Sequence, residues 1–321
     1  MYDVITLGSA TKDVFLFLDK SNLKPGVKKH FLDIPIDKKI DIKEKIEFTG
    51  GSATNAAATF ASFEKKTAVM ALVGDDGAAE FISNDMKSRR IDQEYLIRTA
   101  GQTPFSNILV ASNGEMVVLV YRGIERGWKE EELRLDFSSK WLYIGPMPGE
   151  GYKMLPKILD YCEERGIKTV MNPGSTELSL KIKKMEPILN RLNIVSMNDE
   201  EARTFIGYGN DVNNIIKLAK EVKDAAIITK GSLGSMVATK DKVYSAGAFR
   251  TKQINYIGAG DAFLSGFTNA IIDDKTVEEA INLGSYNAAS VVKRYGAKDG
   301  IVDHYPKNAL PIKVTSVPGN G

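Results

Sequence analysis

The chain reads as an α/β protein, a mostly parallel central sheet covered by helices on both faces and carrying a small β appendage. From Trp141 onward, short apolar runs alternate with amphipathic stretches of helical period, the pattern of parallel strands buried on both faces. Earlier, the stretches at about 13–48 and 95–122 break into short extended pieces between charged turns, which suits a sheet with one wet face. The 321 residues carry a formal net charge of +2, with 43% hydrophobic and 26% charged side chains, the composition of a globular chain able to bury a sizeable core.

The elements follow in order. Val4 to Leu7 is a short buried strand closed by Gly8. Val14 to Leu18, His30 to Pro35 and Lys45 to Phe48 are the extended pieces of the first appendage segment. Ser52 to Phe63, rich in small apolar residues, is a close-packed helix, followed by a strand from Ala68 to Val73 and a helix from Ala78 to Ser88. Phe105 to Val110 and Met116 to Tyr121 form a hairpin across Asn113-Gly114. Trp141 to Ile144, Thr169 to Met171, Asn193 to Ser196 and Ala225 to Thr229 are strands. Helices are expected at Lys153 to Glu164, Asp199 to Phe205 and Val212 to Val222. A strand pair within Ser235 to Val243 precedes helices at Ala259 to Ile272 and Val277 to Tyr295.

Composition excludes several classes of function. A charge near zero gives no reason to expect nucleic acid or an anionic membrane as partner, and basic clusters such as Lys28-Lys29 and Lys181 to Lys184 are balanced by nearby acids. A single cysteine, Cys162, cannot close an internal disulfide, which suits a reducing compartment. His30 and His304 are too few and too far apart for His-rich zinc chemistry. The most apolar window, Ile254 to Ile272, contains Asp261 and is too polar to span a membrane. Without a basic stretch leading into an apolar run at the start, a cytoplasmic location is expected.

Open parallel sheets bind ligands beyond the carboxyl ends of their strands, which is where a nucleotide motif would lie. No Gly-Lys pair occurs, which excludes a Walker A loop, and Gly8-Ser9-Ala10-Thr11 is not a dinucleotide fingerprint. Gly258-Ala259-Gly260-Asp261 opens a helix with small residues, which leaves backbone N–H groups accessible to an anion. Asp261 at that spot would repel a phosphate unless it takes a proton from an attacking hydroxyl; otherwise it merely complements the helix dipole. Asn198-Asp199-Glu200-Glu201 has capping-box spacing, the stronger reading of these residues alone; the functional alternative is that Asn198 and Glu201 face phosphates and hold magnesium through water. Thr229-Lys230-Gly231-Ser232-Leu233-Gly234 either lets backbone approach a nucleotide or turns the chain into a hairpin. Gly50-Gly51-Ser52-Ala53-Thr54-Asn55 allows close contact with a polar ligand or tight helix packing, and Asp13 could accept hydrogen bonds from hydroxyls or be a surface turn residue.

Together and in this order, these segments resemble the ribokinase-like (PfkB) family of carbohydrate kinases over essentially the whole chain. Gly50 to Asn55 through Val73-Gly74-Asp75-Asp76 is similar to the first family signature, and Asn255 to Phe267 to the second. Asn198 to Glu201 matches Asn-x-x-Glu, and Thr229 to Gly234 matches Thr-x-Gly-x-x-Gly. The resemblance implies one three-layer kinase domain over residues 1–321, with a β-sheet lid from about 13–48 and 95–122. It implies Asp261 as catalytic base, and N–H groups of Gly258, Ala259 and Gly260 as an anion hole. Asp13, Gly50, Gly51 and Asn55 would bind substrate; Asn198, Thr229, Gly231, Gly234 and Asn287 would bind nucleotide; Glu201 would serve magnesium through water. Lid residues Phe15, Phe17, Phe105 and Asn107 would close over the substrate.

Two positions depart from the family pattern. Glu64 stands where a small residue is usual after the first-signature helix. Gln253-Ile254-Asn255-Tyr256 stands where many members carry Asp-Thr as part of a monovalent cation site, so potassium dependence is expected to be weak or absent. The resemblance implies an ATP-dependent kinase for a sugar or sugar derivative. A nucleoside kinase, with Met147 and Pro148 against the base, and a non-catalytic sugar-binding regulator are the alternatives. A homodimer through the lid is a further expectation, for which Phe15-Leu16-Phe17-Leu18 would suit the face.

Overall fold

The computed structural model describes residues 1–18, 24–25, 32–34, 36–124, 128–207 and 209–317. Lys28 and Lys29 lie outside them, as do His30, Phe31 and Pro35 of the strand expected from His30 to Pro35. In chain order, β1 (Tyr2–Leu7) is followed by β2 (Thr11–Leu18), β3 (Lys24–Pro25), β4 (Leu32–Asp33) and β5 (Ile42–Gly50). Next come α1 (Ser52–Ser62), β6 (Thr67–Val73), α2 (Gly77–Ser88), β7 (Leu96–Arg98), β8 (Phe105–Val110) and β9 (Met116–Tyr121). The central stretch holds β10 (Ser139–Ile144), α3 (Leu155–Glu164), β11 (Lys168–Met171), α4 (Ser175–Ser179), α5 (Lys181–Leu189), β12 (Ile194–Asn198), α6 (Asp199–Ile206), α7 (Asp211–Lys220) and β13 (Ala225–Thr229). The chain closes with β14 (Ser235–Ala238), β15 (Lys242–Ala246), α8 (Ala259–Ile272), α9 (Val277–Val291) and β16 (Ile312–Ser316).

Ten strands form the large sheet in the order β16-β15-β14-β13-β12-β11-β10-β1-β6-β7. Pairing is parallel from β7 through β13 and antiparallel beyond. From β1 the chain builds outward to β6 on one side and later starts β10 on the other, so strand order reverses between β1 and β10. The carboxyl ends of such a reversal leave a crevice.

Strand alternation sends side chains to two cores. Val4, Tyr143, Val170, Ile194 and Ile227 pack with Phe60 of α1, Phe263 and Phe267 of α8 and Ile281 of α9. Ile5, Leu7, Leu142, Ile144, Val195 and Ile228 pack with Ile158 of α3, Met185 of α5, Phe205 of α6 and Leu218 of α7. These are the three layers, and truncating a fully buried residue such as Leu142 to alanine would cost about 2–5 kcal/mol. Helix α5 was not read from the sequence because Pro187 sits inside it; Ile182, Met185 and Leu189 nevertheless form a buried face. Strand β7 joins the large sheet beside β6 rather than the appendage. Helix α9 ends at Val291, which releases Tyr295 to pack edge-on against Phe15 and Phe17.

The small sheet has the order β5-β2-β8-β9. Asp13 pairs with Ser106, and Phe15 with Ile108, so these four share one face; Lys12 pairs with Phe105 and Val14 with Asn107 on the other. Phe105 and Asn107 therefore point away from the face that carries Asp13, contrary to the expectation that they close over substrate beside Phe15. The two-residue period of a strand decides this.

Candidate active site

Helix α8 starts at the carboxyl side of the crevice. Gly258, its N-cap, has φ 80°, and a Cβ there would stand 2.4 Å from the Ala297 Cβ, so conformation and packing both demand glycine. The Ala259 N–H is engaged by Tyr256 O at 3.3 Å, and the first helical bond runs from Ala262 N to Gly258 O at 2.9 Å. Of the three N–H groups expected to receive an anion, that of Ala259 is thus partly committed. Gly260 is exposed, and a Cβ there would meet no atom within 4 Å, so its backbone is open to a ligand.

Asp261 lies one residue further on. Its carboxylate accepts from Asn55 Nδ2 at 2.9 Å, from Tyr143 OH at 3.2 Å and from Asn172 Nδ2 at 3.5 Å. Burial pushes its pKa up, while these donors and the charge of Lys298 pull the other way. The result is a carboxylate more basic than usual, held by neutral donors rather than consumed in an ion pair.

Gly50 and Gly51 join β5 to α1 beside this carboxylate. A Cβ on Gly50 would stand 1.9 Å from Asp13 Oδ2, and Gly51 has φ 95° with Ser9 O 2.4 Å from where its Cβ would be. The chain can therefore pass Asp13 and Ser9 only as glycine. Asp13 is buried and accepts from Thr11 Oγ1 at 3.0 Å; burial raises its pKa. Asn55 Oδ1 is buried and has no hydrogen-bond partner among the described residues, an acceptor open to a ligand hydroxyl.

On the other side of Gly260 lies a cavity of about 370 Å³, lined by Thr229, Gly231, Gly234, Phe249, Ala259, Gly260, Ser285 and Ala289 among others. Thr229 ends β13 in register with Asn198 of β12. Asn198 and Glu201 form both bonds of a capping box, Glu201 N to Asn198 Oδ1 and Asn198 N to Glu201 Oε2, each 2.8 Å. Burial first, then the nearby Asp261 charge, raises the Glu201 pKa. Among the described residues, no group of three or more His, Cys, Asp or Glu side chains could form a metal cage. A magnesium ion would suit this donor set only if phosphates and water supplied most of its ligands, as they commonly do for this metal.

Asn287 does not reach the cavity. Its Nδ2 donates to Ala262 O at 2.9 Å and Thr59 Oγ1 at 3.2 Å, and its Oδ1 accepts from Val302 N at 3.0 Å. The side chain ties α9 to α8 and α1, while its neighbours Ser285, Ala288 and Ala289 line the cavity. Met147 is likewise fully buried in the core and presents nothing to a base. Tyr143 and Asn172 were not singled out from sequence. Asn172-Pro173-Gly174 just past a strand end was a usable signal, whereas Tyr143 inside an apolar strand offered none. Lys298 is also new. It is 3% exposed, donates to Thr49 Oγ1 at 2.7 Å and Asp85 Oδ2 at 3.3 Å, and burial lowers its pKa to about 8. The free thiol of Cys162 is buried, and its pKa is pushed up to about 12, which makes it inert. No helix among the described residues is long and apolar enough to cross a membrane.

Comparison with known proteins gives the family and the fold. The chain is 26% identical to the ribokinase of Staphylococcus aureus, over 93% of this chain and 96% of that protein. It is 26% identical to an ATP-dependent ribose-1-phosphate kinase of Halopiger xanaduensis, over 93% of this chain and 94% of that protein. The crystal structure of Thermotoga maritima ribokinase superposes with a TM-score of 0.77 at 21% identity, covering 94% of this chain and 96% of that one. The family model described as pfkB family carbohydrate kinase matches residues 37–303. A ribokinase fold, a carboxylate poised at a helix start and a family match over most of its length make this chain a member of the PfkB family of carbohydrate kinases.

Proposed function

We propose that the protein transfers the γ-phosphoryl group of ATP to a hydroxymethyl group of a sugar or sugar derivative, with Asp261 as the base. The observation that carries this reading is the position of Asp261. Its carboxylate is held by Asn55, Tyr143 and Asn172, and it follows Gly260, which lines the cavity, directly in the chain. The acceptor would lie against Asp13, Gly50, Gly51 and Asn55, and the nucleotide in the cavity against Thr229, Gly231 and Gly234.

Asp261 takes the hydroxyl proton as the acceptor oxygen forms its bond to the γ-phosphorus and the bond to the ADP oxygen breaks. The open N–H groups at the start of α8, that of Gly260 foremost, face the charge that develops on the transferred group. Magnesium, when bound, would neutralise phosphate charge, and Glu201 with Asn198 would hold its water shell. The face of the small sheet that carries Asp13 and Phe15 would cover the acceptor and exclude water as a competing nucleophile. The edge strand β9 leaves Val117, Leu119 and Tyr121 exposed on the opposite face, which suits pairing with a second copy of the chain.

A nucleoside acceptor is the second reading. The fully buried Met147 removes one of the two residues that would have stacked on its base. The experiment is an ATP-consumption assay with magnesium against pentoses, hexoses, sugar acids, sugar phosphates and nucleosides. Turnover with a sugar or sugar derivative and none with nucleosides supports the proposal. Turnover with nucleosides alone replaces the acceptor, and turnover with none favours a binding protein on this fold.

A further inference from the structure

A second, smaller cavity of about 130 Å³ lies at the strand-order reversal, bounded by Ser9 past β1, Pro146 past β10, and Ser175, Thr176 and Glu177 past β11. Arg122 completes its wall from the segment that follows β9, where the small sheet returns to the body. Among the described residues Arg122 makes no hydrogen bond or ion pair. Glu177, the one acid in the wall, is fully buried, and both its oxygens are occupied: Met147 N donates to Oε1 and Gly174 N to Oε2, each at 2.9 Å. Its carboxylate is therefore held by backbone; the Arg122 charge acts on it at longer range, without a hydrogen bond or ion pair between them. The hydroxyls of Ser175 and Thr176 are also without side-chain hydrogen bonds among the described residues.

The cavity continues the acceptor site. Ser9 Oγ lies 3.2 Å from Ser52 Oγ and accepts from Ser52 N at 2.9 Å, at the start of the helix that carries Asn55. Asn172, which touches Asp261, stands two positions before Gly174, about 6–7 Å along an extended chain. An acceptor whose hydroxyl meets Asp261 would reach this wall with its far end. The Arg122 charge acts on the buried Glu177 without a close contact, which leaves the guanidinium N–H groups free; with hydroxyls and a small volume they describe a site for a compact anion.

We propose that the natural acceptor is an anionic sugar, with a phosphate or carboxylate at the end remote from the attacking hydroxyl, and that Arg122 binds that group. The proposal rests on the kinase reading of the site. Titration calorimetry without ATP, using ribose 1-phosphate and D-gluconate against D-ribose and D-glucose, separates the two anions from each other and from their neutral counterparts. At least one anionic sugar should bind about tenfold or more tighter than its neutral counterpart. Arg122→Ala should erase that advantage, and Arg122→Lys should keep part of it, with melting temperatures confirming that both variants fold. Asp261→Asn should bind the same sugar yet fail to phosphorylate it. Equal binding of neutral and anionic sugars, or an Arg122→Ala variant that binds like wild type, would overturn the anion subsite while leaving the kinase intact. Tight Arg122-dependent binding with no phosphoryl transfer would support the subsite and contradict the kinase reading alone.

Discussion

Asn55, in the first turn of α1, donates from Nδ2 to Asp261 Oδ2 at the head of α8, 2.9 Å away in space and 206 residues on in the chain. Two helix starts thus meet at one carboxylate. Because the bond favours the ionised form, it opposes the burial that raises the Asp261 pKa. Asn55→Ala should move the acid limb of the kcat/KM profile to higher pH, since Asp261 must be ionised to accept a proton. A hydrogen bond to a charged group is worth about 1.5–3 kcal/mol, so kcat/KM should also fall about ten- to a hundredfold. Rate profiles from pH 4 to 9 check both; an unmoved acid limb would show that the amide does not bear on the base.

Potassium should matter little. Asn255 is fully buried, its Oδ1 accepts from Ile257 N at 2.9 Å, and its Nδ2 points at Gly296 O at 3.4 Å. A donor faces that carbonyl where a cation site would need anionic or carbonyl oxygen. Activity in KCl should equal that in NaCl at matched ionic strength; a severalfold rise with potassium would count against this.

Lys298 gives the fold a pH signature. Asp85, Arg89 and Asp13 are the charges that act on it, and burial outweighs them to leave its pKa at about 8 against 10.5 when unfolded. Between those values the unfolded chain binds the extra proton, so this group makes stability rise with pH. From pH 7 to 9.5 the gain is about 2 kcal/mol. Lys298→Met lacks this titration. Urea unfolding at both pH values should show wild type gaining on the variant by that amount, and a constant difference would contradict it.

Helix α1 ends in strain that can be relieved. Glu64 sits in the left-handed region at φ 59° and is exposed, while Lys65 N closes back onto Phe60 O at 3.1 Å. That geometry favours glycine. Glu64→Gly should stabilise the protein by roughly 0.5–1 kcal/mol, the left-handed cost less the added freedom of the unfolded chain. Thermal or urea unfolding reads it directly, and a destabilised variant would mean that the carboxylate has a role its exposure conceals.

The alternation from Trp141 to Thr229 was legible because parallel strands buried on both faces must be apolar throughout, and the glycine turns because their backbone leaves few other residues possible. The start of helix α8 at Ala259 was legible from the small residues that open it. What could not be read are the partners brought together by strand order. Tyr143 and Asn172 meet Asp261 only once β10 and β11 lie side by side, and Lys298 is buried only because Asp85, 213 residues away, receives it. Asn287 shows the opposite failure. The family resemblance implies a nucleotide contact for it, but its place on the face of α9 that meets α8 and α1 turns its hydrogen bonds inward.

As the proposed base in phosphoryl transfer, Asp261 should be indispensable to the chemical step and dispensable for nucleotide binding. The most direct measurement is the transfer rate of wild type and Asp261→Asn at saturating ATP and acceptor, with nucleotide affinity measured by titration on both. Nucleotide binding should be unchanged and the rate lower by about a hundred- to ten-thousandfold. An Asp261→Asn enzyme that transfers phosphate within a few-fold of wild type would contradict that role.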